Sequence, residues 1–189
     1  MSKFVLKGLV VGLMMATGSA MAAGASGATG STSVTGGSVH FTGSVVDSAC
    51  AVAQDSVDQT VTMGQVRLTA FGDNPAAGTA AGQKVPFSIK LADCDSTVST
   101  QASVTFNGTA ASGQSGVLDN AAGTGGAQGV GIQIYDNDGS ALDLGTASKA
   151  ATLIDGTNTM NFSADYVATN SSVTAGDVDT TATFNVTYQ

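Results

Sequence analysis

Residues 37–45 of the chain read GSVHFTGSV, and small or apolar side chains occupy every second position. Alternate side chains of an extended strand share a face, so one face here is apolar and the other polar. Residues 23–36 before this stretch, AGASGATGSTSVTG, have the composition of a flexible linker. The pattern predicts an apolar strand on a loose tether, suited to a groove in a partner. Its apolar face comprises Gly37, Val39, Phe41, Gly43 and Val45.

The first 22 residues have the three parts of a secretory signal peptide. Lys3 and Lys7 supply positive charge, residues 6–15 are apolar apart from Lys7, and Ala20-Met21-Ala22 has the small residues that precede cleavage. The apolar run is shorter than the roughly 20 residues that cross a bilayer. The sequence therefore predicts a secreted, water-soluble protein with a signal peptide at 1–22, an extension bearing the apolar strand at 23–46 and one folded domain at 47–189.

The chain has two cysteines, Cys50 and Cys94. After secretion they meet an oxidising compartment, where an even pair favours a disulfide over two free thiols. Closing a loop of this size would stabilise the fold by roughly 4 kcal/mol in the chain-entropy model. The pair is expected to join the end of the first strand to the core.

The charge balance is acidic. All 14 acidic residues are aspartates, and cleavage of the signal peptide would leave four basic residues, Arg67, Lys84, Lys90 and Lys149. Phosphate contacts need clustered lysine and arginine, so nucleic acid is not an expected partner. Aspartate favours turns whereas glutamate favours helix interiors, so this choice indicates many strands joined by turns.

Alternating apolar positions recur along the rest of the chain, and Gly, Asn, Asp and Pro clusters lie between them. This spacing of short strands predicts an antiparallel β-sandwich. One short helix is expected around residues 65–71. The alternating runs are residues 57–63, 85–91, 104–106, 130–134, 160–162 and 182–188.

Three stretches have some features of a catalytic, metal or cofactor site. His40, the one histidine, lies on the polar face of the tethered strand, where a catalytic triad would be mobile. Residues 136–139, DNDG, begin like a calcium loop but lack the later carboxylates. Residues 123–129 lack the glycine spacing of a dinucleotide loop. We therefore expect no enzyme activity, metal or cofactor.

Several stretches together resemble one family. They include GGSVHFTGSVVDSACAV at 36–52, VPFSIKLADCD at 85–95, DGTNTMNFSADYVAT at 155–169 and ATFNVTYQ at the end. Gly176 is the fourteenth residue from the carboxyl end and Tyr188 is the penultimate one. The mature chain closely resembles the major-subunit pilins of type 1 fimbriae, in the chaperone–usher pilus family.

The resemblance implies an all-β, incomplete immunoglobulin-like sandwich that lacks its seventh strand. A neighbouring subunit would donate that strand into an open groove. Carried over to this chain, Val45, Gly43, Phe41, Val39 and Gly37 would fill five successive pockets, with Gly43 where the groove is shallow. The implied function is a structural subunit that polymerises head to tail by donor-strand exchange, to build a rod used in cell adhesion.

The groove edge and the partners follow from the same resemblance. Gly176, Phe184, Val186 and Tyr188 would form the edge that a periplasmic pilus chaperone recognises, and Tyr188→Ser would abolish the chaperone complex. The other implied partners are identical subunits, the outer-membrane usher and minor tip pilins. The implied location is an extracellular fimbria of a Gram-negative bacterium, reached through the periplasm.

Two other functions compete with the rod subunit. A minor adaptor or terminator pilin would share every feature above. A carbohydrate-binding module is the second alternative, but the chain has no tryptophan and only three tyrosines, Tyr135, Tyr166 and Tyr188, for stacking on sugars.

Overall fold

The computed structural model describes residue 34 and residues 36–189, which fall into two units, Met1–Gly43 and Ser44–Gln189. In the first unit the described residues form no helix or strand, and all of their side chains are exposed. The predicted signal peptide and most of the linker lie outside the described residues.

Strands are the main regular structure of the second unit. It also has a four-residue helix, α1 (Gln54–Val57), and a 3-10 turn at Leu68–Ala70. The ten strands are β1 (Ala51–Val52), β2 (Val85–Cys94), β3 (Gln101–Asn107), β4 (Ala110–Ala111), β5 (Gln114–Asp119), β6 (Val130–Tyr135), β7 (Ala141–Leu142), β8 (Ala151–Thr152), β9 (Gly156–Ala168) and β10 (Thr183–Tyr188).

The strands form two antiparallel sheets. The larger sheet has the order β1-β2-β9-β6-β5-β4, with β7 beside β6, and the smaller has the order β10-β3-β8. The DNDG stretch makes the turn between β6 and β7, where the Gly139 N–H donates to the Asp136 carbonyl and Gly139 has a φ of +84°. Glycine suits that left-handed conformation because it has no Cβ.

Aromatic rings join the two sheets. Phe106 of β3 packs edge-on against Phe162 of β9, with ring centroids 5.0 Å apart, and against Phe87 of β2 at 5.9 Å. Edge-to-face pairs of this kind add to the free energy of apolar burial. Ile89, Leu91 and Val104 are fully buried around them. The core is therefore a sandwich core, as the alternating pattern predicts.

Cys50 and Cys94 form a disulfide, which confirms that prediction. The bridge joins the residue before β1 to the last residue of β2. Next to it, the Asp95 N–H donates to the Ala49 carbonyl at 2.9 Å. The start of the folded domain is thus attached both covalently and through its backbone. Among the described residues, no helix is long and apolar enough to cross a membrane.

Two local predictions are corrected by the structure. Residues 57–63 alternate like a strand, yet after α1 they form no strand, because none of the described strands pairs with them. The helix expected at 65–71 shrinks to the 3-10 turn at Leu68–Ala70. The short strands β4, β7 and β8, of two residues each, were not predicted because two residues show no periodicity.

Candidate functional site

A groove of about 670 Å³ runs along the second unit. Its floor consists of core side chains from both sheets, which would otherwise be covered by a further strand. The apolar floor residues are Phe87, Ile89, Phe106, Leu118, Ile132, Ile134 and Ala164. An apolar surface left open in this way is typical of a site for another polypeptide or an apolar ligand.

Strand β10 forms one wall of the groove. Phe184, Val186 and Tyr188 alternate with exposed residues, pack against the core and are half-buried. Phe184 lines the groove directly. The Tyr188 hydroxyl donates to the Cys50 carbonyl at 3.2 Å, and burial raises the pKa of this phenol. These contacts hold the wall against the disulfide end of the domain.

The outer edge of β10 has N–H and C=O groups that pair with none of the described strands. Strand β10 pairs with β3 on one side only, and it is the last strand of its sheet among the described residues. Gln189 exchanges two hydrogen bonds with Gln101, at 2.9 and 3.0 Å. Adjacent residues of a strand point their backbone groups to opposite sides. Since Gln189 points its groups to β3, the backbone groups of Phe184, Val186 and Tyr188 point to the unpaired edge.

Residues 57–66 form the opposite wall. Val57, Val61 and Met63 line the groove, but the backbone of 59–66 makes no hydrogen bond with the backbone of another described residue. Two side chains hold this segment in place. Gln59 donates to the Ser88 carbonyl at 3.2 Å, and the Tyr166 hydroxyl donates to the Gly64 carbonyl at 3.0 Å. Both walls of the groove therefore present unpaired backbone.

Gly176 lies away from the groove walls, in the loop before β10. A Cβ built on it would come within 2.5 Å of backbone atoms of residues 125–127. Its neighbour Asp177 accepts from the Ala127 N–H at 2.8 Å and donates to the Gly125 carbonyl at 3.1 Å. The absence of a side chain at Gly176 lets these two loops meet, and that contact precedes the wall-forming residues 178–184.

The predicted strand of the extension is exposed where the structure describes it. Phe41 is 88% exposed, and Val39 and Val45 are also exposed. Large apolar side chains rarely remain in water without a reason, and here three of them share one face of an extended pattern. The structure thus describes an open groove in one unit and an apolar segment that has no regular structure.

Sequence reasoning missed one strand of the groove floor. Strand β5 contributes Leu118, yet its sequence QSGVLD has only two large apolar residues, side by side. Its one detectable signal was the position of Val117 and Leu118 between two Gly-rich loops. The Phe184, Val186 and Tyr188 positions, in contrast, were predictable from alternation and are brought together on β10.

Comparisons with known proteins give a consistent result. The family model described as "Fimbrial protein" matches residues 39–189. The type-1 fimbrial protein C chain of Escherichia coli is 46% identical over 154 residues, covering 80% of this chain and 83% of that protein. The fimbrial subunit type 1 of Klebsiella pneumoniae is 46% identical over 156 residues, with the same coverage.

The fold comparison agrees with the sequence comparison. A subunit from a solved chaperone–usher pilus, whose description concerns rod uncoiling, superimposes with a TM-score of 0.66. The two chains are 28% identical, and the match covers 82% of this chain and 96% of the other. Neighbours of this kind have an incomplete immunoglobulin-like fold, which accounts for the groove between β10 and residues 57–66.

Proposed function

The chain belongs to the fimbrial protein family and is a structural pilus subunit, and on this premise we propose that residues 37–45 of another copy fill its groove. As a pilus subunit it polymerises with other subunits on the surface of a Gram-negative bacterium. The family is structural and not enzymatic. The observation that carries the proposal is the groove with unpaired backbone on both walls.

The inserted segment would act as the missing strand. Its backbone would pair with Phe184, Val186 and Tyr188 on one side and with residues 57–66 on the other, each bond contributing about 0.5–1.5 kcal/mol. We assign it the antiparallel direction relative to β10, because antiparallel pairing is the more stable per residue. Residues 57–63 fit this arrangement, since they alternate like a strand but pair with no described strand.

The side chains of the segment match the groove in length and character. Nine extended residues span about 27 Å, which is more than the six residues of β10 provide, so the segment would continue along residues 178–182, which also line the groove. Val39, Phe41 and Val45 would each contribute about 1.5–3 kcal/mol on burial. Gly43 and Gly37 would occupy positions with little room for a side chain. Together, these burial free energies support a non-covalent contact between subunits that is very stable.

Head-to-tail insertion explains a filament. The donor uses its extension and the acceptor uses its groove, so the contact is heterologous and does not close on itself. Each subunit in the chain would then both give and receive one strand. The functional reading of residues 1–22 as signal peptide, 23–46 as donor extension and 47–189 as pilin domain follows this scheme.

Before polymerisation the groove needs a temporary occupant. Open sheet edges and apolar surface promote aggregation, so a subunit crossing the periplasm requires protection. We propose that a periplasmic chaperone pairs with the same β10 edge, and that an outer-membrane usher exchanges it for the next subunit. Minor tip pilins would enter the same scheme at the end of the fibre.

Thermal unfolding of three chains tests the missing strand. They are the mature chain, the chain lacking residues 23–46, and that shortened chain with residues 36–46 re-attached after Gln189 through a flexible linker. We expect the third to melt far above the second, because the re-attached strand fills the groove in cis. A control re-attaches the same residues in scrambled order. Equal melting temperatures for all shortened chains would show that the sandwich is complete without a donor.

A further inference from the structure

The folded unit has two distinct ends. At one end, here called the base, β2 finishes at Cys94, β9 starts at Gly156 and β10 finishes at Tyr188. The extension also leaves the fold here, since Ala49 is bonded to Asp95. At the other end, here called the top, lie the loops 67–83 and 169–178.

The base carries two exposed apolar side chains, each in a loop that is fixed by hydrogen bonds. Val98 is 63% exposed and Ile154 is 64% exposed. The two loops are joined by Asp155, which accepts from the Ser96 N–H at 2.8 Å and from the Ser96 hydroxyl at 2.6 Å. Ile154 is fixed by two bonds between its backbone and the side chain of Asn158. The local hydrogen bonds therefore hold both loops in place while both apolar side chains face water.

Two carboxylates accompany the apolar pair. Hydrogen bonds from Thr97 lower the pKa of Asp95, and hydrogen bonds from Ser96 lower the pKa of Asp155. The two groups are close enough for the charge of Asp155 to act on Asp95. Neither makes an ion pair with a described basic residue. The base is thus an apolar pair next to uncompensated negative charge.

At the top, two apolar side chains lie in a mainly polar rim, and the loop 169–178 carries the exposed carboxylate Asp177. Leu68 is 44% exposed and lines a hollow of about 470 Å³ whose opposite rim includes Val173. Beside Leu68 stands Arg67, which makes no ion pair with another described residue. The other lysines among the described residues are engaged: Lys90 pairs with Asp55, Lys149 with Asp138, and Lys84 lies 3.6 Å from the Tyr135 ring centroid. The hollow also has one carboxylate, Asp73.

The length of the tether brings these two ends together in a fibre. Strand β10 runs from top to base, so an antiparallel donor strand runs from base to top and its last residue, Val45, reaches the acceptor's top. Three residues separate Val45 from Ala49 in the donor, and the four Cα–Cα steps between the two positions span at most about 14 Å. The donor's base must then lie within that distance of the acceptor's top.

We propose that the base of each subunit docks on the top of the subunit that receives its strand. Val98 and Ile154 of the donor would pack against Leu68 and the hollow of the acceptor, with Asp95 and Asp155 facing Arg67. The occupant is therefore a second copy of this chain, and the inference rests on the proposed donor-strand function. The contact orients consecutive subunits, a task that a tether of three residues cannot perform alone.

Thiol cross-linking within fibres of the full chain tests the contact. The variant Val98→Cys/Leu68→Cys is assembled and treated with a short bismaleimide, which joins thiols without requiring disulfide geometry. We expect a ladder of covalent multimers that survives boiling in detergent. The matched control Val98→Cys/Ala141→Cys, in which Ala141 is exposed on β7, should give no ladder. Fibres that assemble but give no ladder with the first pair would overturn the docking contact.

A second variant separates the docking contact from the strand joint. Val98→Ser/Ile154→Ser should still assemble, because neither residue lines the groove, and its unboiled fibres should still resist detergent. We expect its fibres to bend more sharply in electron micrographs, with a persistence length reduced at least twofold. Unchanged stiffness counts against the contact. Failure of the unmodified chain to form detergent-resistant multimers would instead show that the donor-strand function itself is wrong.

Discussion

At the scale of single residues, one tight constraint is the space around Gly176. A Cβ at this position would lie 2.3 Å from the Ala127 nitrogen and 2.4 Å from the Gly126 carbonyl carbon, and backbone atoms cannot rotate away. The sequence showed where this glycine stands relative to the carboxyl end, but not what it approaches. The close partner comes from residues about 50 positions earlier in the chain.

We expect Gly176→Ala to lower the free energy of unfolding by about 3 kcal/mol, since overpacking against fixed backbone costs about 1–3 kcal/mol and sometimes more. Urea denaturation of the chain with the re-attached strand measures this. Gly64→Ala is the matched control, because a Cβ there meets nothing within 4 Å. Equal stability of the two variants would mean that the loops at 125–127 and 176 can separate at little cost.

Asp165 shows another limit of single-sequence reasoning. This residue is fully buried, and its two carboxylate oxygens accept from the backbone N–H groups of Gly82 and Gln83, at 3.0 and 3.1 Å. An aspartate in an alternating strand normally indicates the solvent face, yet here the loop before β2 folds over it. The alternation at 160–162 predicted only part of β9 and could not predict the loop that covers Asp165.

At the scale of secondary structure elements, the groove depends on what its two walls lack. Within the described part of the chain, β10 pairs on one side only, and residues 59–66 are held by side chains and not by backbone pairing. Alternation predicted β10 well because every second side chain of this strand packs on the core. It failed at 57–63 because strand formation needs a hydrogen-bonding neighbour as well as a suitable pattern.

The donor segment should be sensitive on one face only. Phe41→Ala in the re-attached strand should lower the free energy of unfolding by about 3–5 kcal/mol, as for a buried phenylalanine. His40→Ala, on the polar face of the same segment, should change it by no more than about 0.5 kcal/mol. Equilibrium denaturation of both variants decides the matter, and comparable losses would mean that the segment does not insert as a strand.

At the scale of the whole molecule, the disulfide joins the point where the extension leaves to the end of β2. It closes a loop with a sequence separation of 44 residues. Reduction should therefore lower the free energy of unfolding by roughly 4 kcal/mol in the chain-entropy model. Urea melts of the oxidised chain and of the Cys50→Ala/Cys94→Ala variant measure the difference, and a loss below about 1 kcal/mol would contradict this account.

The fold class was within reach of the sequence, since short alternating runs separated by turns indicate a sandwich, and the signature around Gly176 and Tyr188 indicates the family. The shape of the groove could not be predicted from the sequence. Its floor combines residues from β2, β3, β5, β6 and β9, whose registers depend on pairings far apart in the chain. Position in a sheet is a property of those pairings and not of any local run of residues.

The position of the extension at the base has a mechanical consequence. In a fibre joined as proposed, tension would pull each inserted strand along the direction of β10, because it enters at the top while the acceptor's own extension leaves at the base. All hydrogen bonds of the joint would then carry load together, in shear, and none could peel open first. The Cys50–Cys94 bridge would pass the load from the extension directly into β2, sparing the short strand β1.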